Sequence, residues 1–216
     1  MIRMDEPGDD IVYVVDDDRR VREALAALLS SFDLRAITFA SAAEFLAYPE
    51  RAPISCLVLD LQLPDISGLD LQRQLEEGGH PPIVFITGHG DIPSTVRAMK
   101  GGAVDFLTKP FREADLMRAI RAALAQSRER QQWGAELADL RLRLSSLTPR
   151  EREALPLIAG GLLNKQAAGE LGISEVTLQI HRGKIMRKMR AGSFAELVRM
   201  AAALGVPVTR TRRGAK

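Results

Sequence analysis

Ile11-Val12-Tyr13-Val14-Val15-Asp16-Asp17-Asp18 is a run of five β-favouring side chains that stops at three adjacent carboxylates. Four further runs follow: Arg35-Ala36-Ile37-Thr38-Phe39, Ile54-Ser55-Cys56-Leu57-Val58-Leu59, Ile83-Val84-Phe85-Ile86 and Val104-Asp105-Phe106-Leu107. Between the first two, Val21, Leu25, Leu28 and Phe32 recur at spacings of four, three and four, which places them on one helical face. Strand and helix patterns alternate in this way from Ile11 to Gln126, predicting five βα units that form a parallel sheet covered by helices on both faces. Such sheets bind ligands beyond the carboxyl ends of their strands, where the strand order reverses.

The polar residues that end the runs therefore converge. Asp16, Asp17 and Asp18 follow the first strand and Asp60 the third, while Thr87 ends the fourth and Lys109 the fifth. Neighbouring carboxylates repel one another, and a hard divalent cation between them explains their coexistence. An all-oxygen site that retains waters suits Mg²⁺. Together the groups describe a phosphoryl site, with Asp60 as nucleophile, Mg²⁺ and Lys109 neutralising phosphoryl oxygens, and Thr87 donating a hydrogen bond. Any one aspartate after a strand reads equally well as a turn or cap residue; the set argues against that.

Charge separates this region from the rest of the chain. The net charge is −7 over residues 1–125, +1 over 126–146 and +8 over 147–216, so the basic end favours a polyanion, with nucleic acid the first candidate. Cys56 is the single cysteine and lies in an apolar run, which excludes a disulfide framework and a thiolate metal site and reads as a small buried hydrophobe. No apolar run approaches the roughly 18 residues of a membrane span, and the N-terminus lacks the apolar core of an export signal, so a cytoplasmic location without membrane contact is expected.

From Ala114 to Leu147 there is no proline and one glycine, so the last helix of the sheet region is expected to continue as a connector. Trp133, Leu137, Leu140, Leu144 and Leu147 follow a 4-3-4-3 spacing, which suits either a coiled-coil dimer seam or a stripe packed against the same chain. Thr148, Pro149 and Glu151 then form a helix start with a capping box. Three more helical stretches follow, near Lys165–Leu171, Glu175–Arg190 and Phe194–Leu204, the middle pair joined by Gly172-Ile173-Ser174 in a helix-turn-helix pattern. On the second helix of that pair Leu178, Ile185 and Met189 share one face, flanked by His181 and Arg182. Val176, Ile180, Gly183, Lys184, Arg187 and Arg190 point the other way. An apolar Ile180 among cations suits a thymine methyl in the major groove better than a merely solvated stripe.

Residues 9–126 resemble the response-regulator receiver family in Val14-Val15-Asp16-Asp17-Asp18, in Leu59-Asp60-Leu61-Gln62-Leu63-Pro64-Asp65-Ile66-Ser67-Gly68, in Ile86-Thr87-Gly88-His89-Gly90 and in Lys109-Pro110-Phe111. The resemblance implies strand order 2-1-3-4-5 and phosphorylation of Asp60 by a sensor histidine kinase. It further implies Mg²⁺ held by Asp17, the Asp60 carboxylate and the Gln62 carbonyl, with Asp16 assisting through water. A cis peptide between Lys109 and Pro110, an aromatic switch at Phe106, and tuning of phosphoryl lifetime by Gln62 and His89 come with it.

Residues 147–206 resemble the LuxR and NarL group of four-helix DNA-binding domains in Leu147-Thr148-Pro149-Arg150-Glu151-Arg152-Glu153, Gly161-Leu162-Leu163-Asn164-Lys165, Leu171-Gly172-Ile173-Ser174 and Thr177-Leu178-Gln179-Ile180-His181-Arg182. With the receiver, they look most like the FixJ subfamily. This implies a recognition helix over 175–190, base contacts by Gln179 and Ile180, and phosphate contacts by Lys165, Thr177, Lys184 and Arg187. A dimer interface over 194–204 is implied as well. Gln179 replaces a frequent lysine, favouring adenine over guanine, and Pro156 sits inside the first helix of the module. The remaining segments read as a helical linker, 127–146, and a disordered basic tail, 207–216.

The expectation is a two-component response regulator, not an enzyme beyond assisting its own phosphoryl transfer and autodephosphorylation. Phosphorylation would control dimerisation and binding to promoter DNA, with activation through RNA polymerase as output. The alternative is a DNA-binding regulator whose receiver serves as a phosphorylation-independent docking surface. A phosphatase using Asp60 lacks a separate general acid.

Overall fold

The computed structural model describes residues 10–49, 52–75, 80–88 and 91–207. The reading of His89, and all of the tail except Pro207, lie outside these residues. The chain divides into two compact units between Gln131 and Gln132.

In the first unit β1 (Ile11–Val15), β2 (Arg35–Phe39), β3 (Ser55–Asp60), β4 (Ile83–Thr87) and β5 (Asp105–Thr108) form one sheet ordered β2-β1-β3-β4-β5. Every neighbouring pair is parallel. The helices are α1 (Arg19–Ser31), α2 (Ala42–Ala47), α3 (Gly68–Leu75), α4 (Ile92–Lys100) and the start of α5 (Glu113–Ser145). Strand side chains alternate between two cores, as the pleat requires. Val12, Val14, Cys56, Val58, Val84 and Ile86 pack with Leu25, Leu29, Leu116 and Ile120 on one face. Tyr13, Val15, Leu57, Leu59, Ile83 and Phe85 pack with Phe45, Leu71 and Ala98 on the other. Strand order reverses at β1, so the ends of β1 and β3 open the crevice that receives Asp16 and Asp60.

The apolar face of α1 follows its periodic reading at Val21, Leu25 and Leu28, which pack into one core, and departs from it at Phe32. Leu25 and Leu29 are its buried residues, and Phe32 falls outside the helix, at its C-cap. There the ring lies at the surface with the Arg121 guanidinium 6.0 Å from its centroid. Phe32 is still in phase with Val21, 11 residues or about three turns earlier, but α1 ends at Ser31, so its side chain projects from the cap and not from a packed helical turn.

The second unit begins inside α5 and continues through α6 (Pro149–Ala159), α7 (Asn164–Leu171), α8 (Glu175–Met189) and α9 (Phe194–Ala203). Thr148 and Glu151 make the reciprocal capping box, and Ser174 caps α8 by accepting from the Thr177 amide. Gly172 takes the left-handed conformation (φ 64°) that turns α7 into α8. Pro156 is accommodated within a continuous α6.

The stretch read as a linker, 127–146, is helical to Ser145 and its residues fall on both sides of the division. Its leucine stripe is split as well. Leu147 is buried and Leu144 packs beside it in the core with Leu155, Ile158, Leu178, Ile185 and Met189. Those two positions are therefore committed to their own chain and unavailable to a dimer seam, whereas Trp133 is exposed. No helix among the described residues is long and apolar enough to cross a membrane.

Candidate functional site

The carboxylates gathered by the strand ends do meet. Asp16, Asp17 and Asp60 each offer an oxygen within 4.8 Å of the others, Asp16 and Asp60 being buried and Asp17 exposed. Lys109 Nζ lies 2.6 Å from one oxygen of Asp16 and 2.6 Å from one of Asp60, bridging residues 93 and 49 positions away. The other Asp60 oxygen accepts from the Gln62 amide at 2.9 Å, and Asp16 accepts from the Asp18 amide at 2.9 Å. Burial pushes the Asp16 carboxyl up from its ordinary range, against the pull of Lys109 and the Asp18 amide. Burial also works to lower Lys109, but the two carboxylates outweigh it and hold the ammonium above an ordinary lysine. Three carboxylates facing one ammonium leave an excess of partly buried negative charge, a donor set that fits a hard dication.

The other residues singled out on this rim are placed beside them. Thr87 ends β4, fully buried, and its carbonyl accepts the Lys109 amide at 2.7 Å, which joins the two strand ends. Phe106 on β5 is half-buried, its ring 6.2 Å from that of Phe85. The Lys109–Pro110 peptide is cis. Gln62 is exposed.

Two supports carry less signal in the sequence. Arg22, one turn into α1, donates from Nη1 to the carbonyls of Asp16 (2.7 Å) and Asp17 (3.0 Å), pinning the acidic loop. Gly68 opens α3 against β3, where a Cβ would lie 2.4 Å from the Asp60 carbonyl oxygen. Arg22 has no local signature because its acceptors are backbone atoms.

In the second unit α8 is sided as its periodicity implies. Leu178, Ile185 and Met189 are completely buried, while Val176, Gln179, Ile180, Gly183, Lys184 and Arg187 are exposed; Arg190, read as part of the helix, is its exposed C-cap. Lys165 is exposed at the start of α7; Thr177 is half-buried and its hydroxyl lies 2.8 Å from that of the cap, Ser174. His181 is half-buried and Arg182 stacks 4.8 Å above the Phe194 ring. The exposed face thus combines cations with Gln179 and Ile180, as a helix entering a nucleic-acid groove requires.

Residues 12–121 match the family model for the response regulator receiver domain, and residues 145–201 that for bacterial regulatory proteins of the luxR family. Nodulation protein W of Bradyrhizobium diazoefficiens is 49% identical over 94% of this chain and 90% of its own. The chain belongs to the response regulators. Its arrangement is of the FixJ type, a receiver followed by a LuxR-type DNA-binding domain. Full-length FixJ from B. japonicum matches at 40% identity and a TM-score of 0.54 over 90% of this chain and 97% of FixJ. The response regulator StyR matches at 49% identity and a TM-score of 0.75 over 89% of this chain and 98% of StyR. In this response regulator the acidic crevice therefore lies in the receiver and the exposed face of α8 in the DNA-binding domain.

Proposed function

We propose that Asp60 is the phosphoacceptor of this receiver and that its phosphorylation by a sensor histidine kinase controls dimerisation and binding to promoter DNA, activating transcription through RNA polymerase. The observation that carries the reading is the convergence of Asp16, Asp17 and Asp60 on Lys109 at the carboxyl ends of three strands. An Asp60 carboxylate oxygen attacks the phosphorus of the kinase's phosphohistidine, the P–N bond breaks and the imidazole leaves. Mg²⁺, held by Asp17, Asp60 and the Gln62 carbonyl with Asp16 behind them, would supply charge neutralisation for the transferring phosphoryl oxygens.

Lys109 is already within hydrogen-bond distance of Asp60, so a phosphoryl group there comes within reach of its charge. Thr87 turns its hydroxyl toward that group, and Phe106 reorients into the space the threonine leaves. Gln62 tunes the lifetime of the aspartyl phosphate, a role that the family motif also assigns to His89. The surface of α4 and β5 then changes, and Ile92, Val96 and Met99, exposed on α4, favour pairing with a second receiver. Paired chains present two α8 helices to half-sites. There Gln179 and Ile180 read bases and Lys165, Thr177, Lys184 and Arg187 approach phosphates, with α9 supplying a further dimer contact. The regulator works in the cytoplasm. In domain terms we assign 9–126 to the receiver, 127–146 to the helical connection, and 147–206 to the DNA-binding domain.

The test is binding to the DNA upstream of the regulator's own gene, wild type against Asp60→Ala, each in Mg²⁺ with and without acetyl phosphate. The donor should strengthen binding of the wild type only. Equal binding by both proteins in every condition would replace phosphorylation control with the docking-surface reading. Sedimentation under the same conditions should show a doubling of mass with the donor.

A further inference from the structure

The DNA-binding unit includes the last turns of α5, and these hold the recognition helix by a hydrogen bond from a side chain to its backbone. We propose that Arg143 on α5 is a positioning residue for DNA reading: it holds the C-terminal end of α8 so that Gln179 and Ile180 reach base edges. The proposal rests on the DNA-binding reading above.

Arg143 Nη1 donates to the carbonyl of Met189, the last residue of α8, at 3.0 Å. That carbonyl is one of the groups a helix end leaves without an intrahelical partner. The carbonyls of Met186 and Arg187 are met by the amides of Arg190 and Ala191 as the chain reverses at Arg190 (φ 55°). Met189 receives the guanidinium instead, which also places a cation against the negative end of the helix dipole.

A return link runs the other way. Lys188, next to Met189 on α8, donates from Nζ to the Ser146 carbonyl at 3.1 Å and pairs with Glu151 at 2.6 Å. The end of α5 and the end of α8 are thus cross-bonded by one side chain from each.

The chemistry of the contact favours positioning over simple packing. The Arg143 side chain is 21% exposed and paired with Asp139 through Nη2, and its Nε is buried with no partner among the described residues. An unsatisfied buried donor costs stability, so a leucine or methionine would serve better if the site needed only volume. What the arginine adds is a directional donor at a point on the α8 backbone. Met189 is completely buried, on the side of α8 opposite Ile180 and Lys184. Arg143 therefore acts through the helix and not by touching DNA. Base readout tolerates errors of only about 0.5 Å in side-chain placement, whereas phosphate contacts are more forgiving. Loss of the contact should fall on sequence discrimination first.

The experiment uses the full-length protein phosphorylated with acetyl phosphate. The probes are a duplex enriched from a random-sequence pool by the wild type and a scrambled duplex of equal length and composition. Arg143→Met should weaken binding to the enriched duplex about tenfold, the scale of one lost base contact, and to the scrambled duplex by less than about twofold. Arg143→Lys, which keeps a donor and a charge in reach of the Met189 carbonyl, should recover most of the loss. Equal weakening on both duplexes, or none on either, overturns the proposal. A wild type that enriches no sequence removes the DNA-reading assignment itself, and with it the proposal. Retained binding to the scrambled duplex reports that the Arg143→Met unit is folded.

Discussion

Replacing Gly68 with alanine would put a Cβ 2.4 Å from the Asp60 carbonyl oxygen, 3.1 Å from Leu61 Cα and 3.2 Å from Phe85 Cε1. The first two neighbours are backbone of the segment that presents the Asp60 side chain, and Phe85 is a fully buried ring in β4. No flexible side-chain end is available to yield. Gly68 also donates its amide to the Leu61 carbonyl at 2.9 Å, which ties α3 to that same backbone. Relieving the contact requires a shift of about 1 Å shared between α3 and the end of β3, and overpacking of this kind costs about 1–3 kcal/mol. A misplacement of about 1 Å at a reacting group lowers rate by roughly a hundredfold. Gly68→Ala is thus expected to lose about 1–3 kcal/mol in receiver stability by urea titration. Its rate of phosphorylation by acetyl phosphate, followed by mobility shift on a phosphate-affinity gel, is expected to fall by one to two orders of magnitude. A Gly68→Ala protein with wild-type stability and wild-type phosphorylation rate would refute the argument that this glycine keeps Asp60 in place.

Gly134 lies within α5 with open space where a Cβ would go, so Gly134→Ala should stabilise the helix by about 0.5–1 kcal/mol, measured as slower amide exchange around residue 134. Cys56 is completely buried and burial pushes its thiol pKa up, so the native protein should leave it unmodified by a thiol reagent that labels it after denaturation. Burial works to raise the Glu151 carboxyl, but the bonds to Lys188 and Thr148 outweigh it and hold its pKa below the ordinary 4.5. A carboxylate lowered on folding contributes stability above its ordinary pKa and loses it as pH falls through the folded value. Amide-exchange protection of α6 should therefore decline below about pH 4.5, and Glu151→Gln should flatten that part of the profile.

Much of the candidate site was legible because its positions are set by local rules. β-Branched runs mark strands, a parallel sheet aligns their carboxyl ends, and the residues following each run are then neighbours whatever the details of packing. That is why the sequence groups Asp16, Asp60, Thr87 and Lys109. The capping box at Thr148 and Glu151, and the buried stripe of α8, were equally local, spanning one turn or one helix.

Other features depend on what a side chain meets from elsewhere in the chain. Periodicity marked Leu144 and Leu147 as apolar but could not say that α6 and α8 would cover them. It likewise put Phe32 on a buried face that ends one turn earlier, at Leu29. Motif spacing included Gly68 without revealing the Asp60 carbonyl against it, and nothing local distinguished Arg143 from the other cations of α5.

The sequence alone therefore determined the elements, their alternation, the end of the sheet at which charge gathers and the face of α8 left for solvent, since these follow from hydrogen-bonding geometry and side-chain period over a few residues. Only the tertiary structure decided which oxygens Lys109 bridges, which leucines are spent on the core, and which backbone carbonyl accepts from Arg143. Those contacts join distant segments through close packing and directional donors, whose distances no local period encodes.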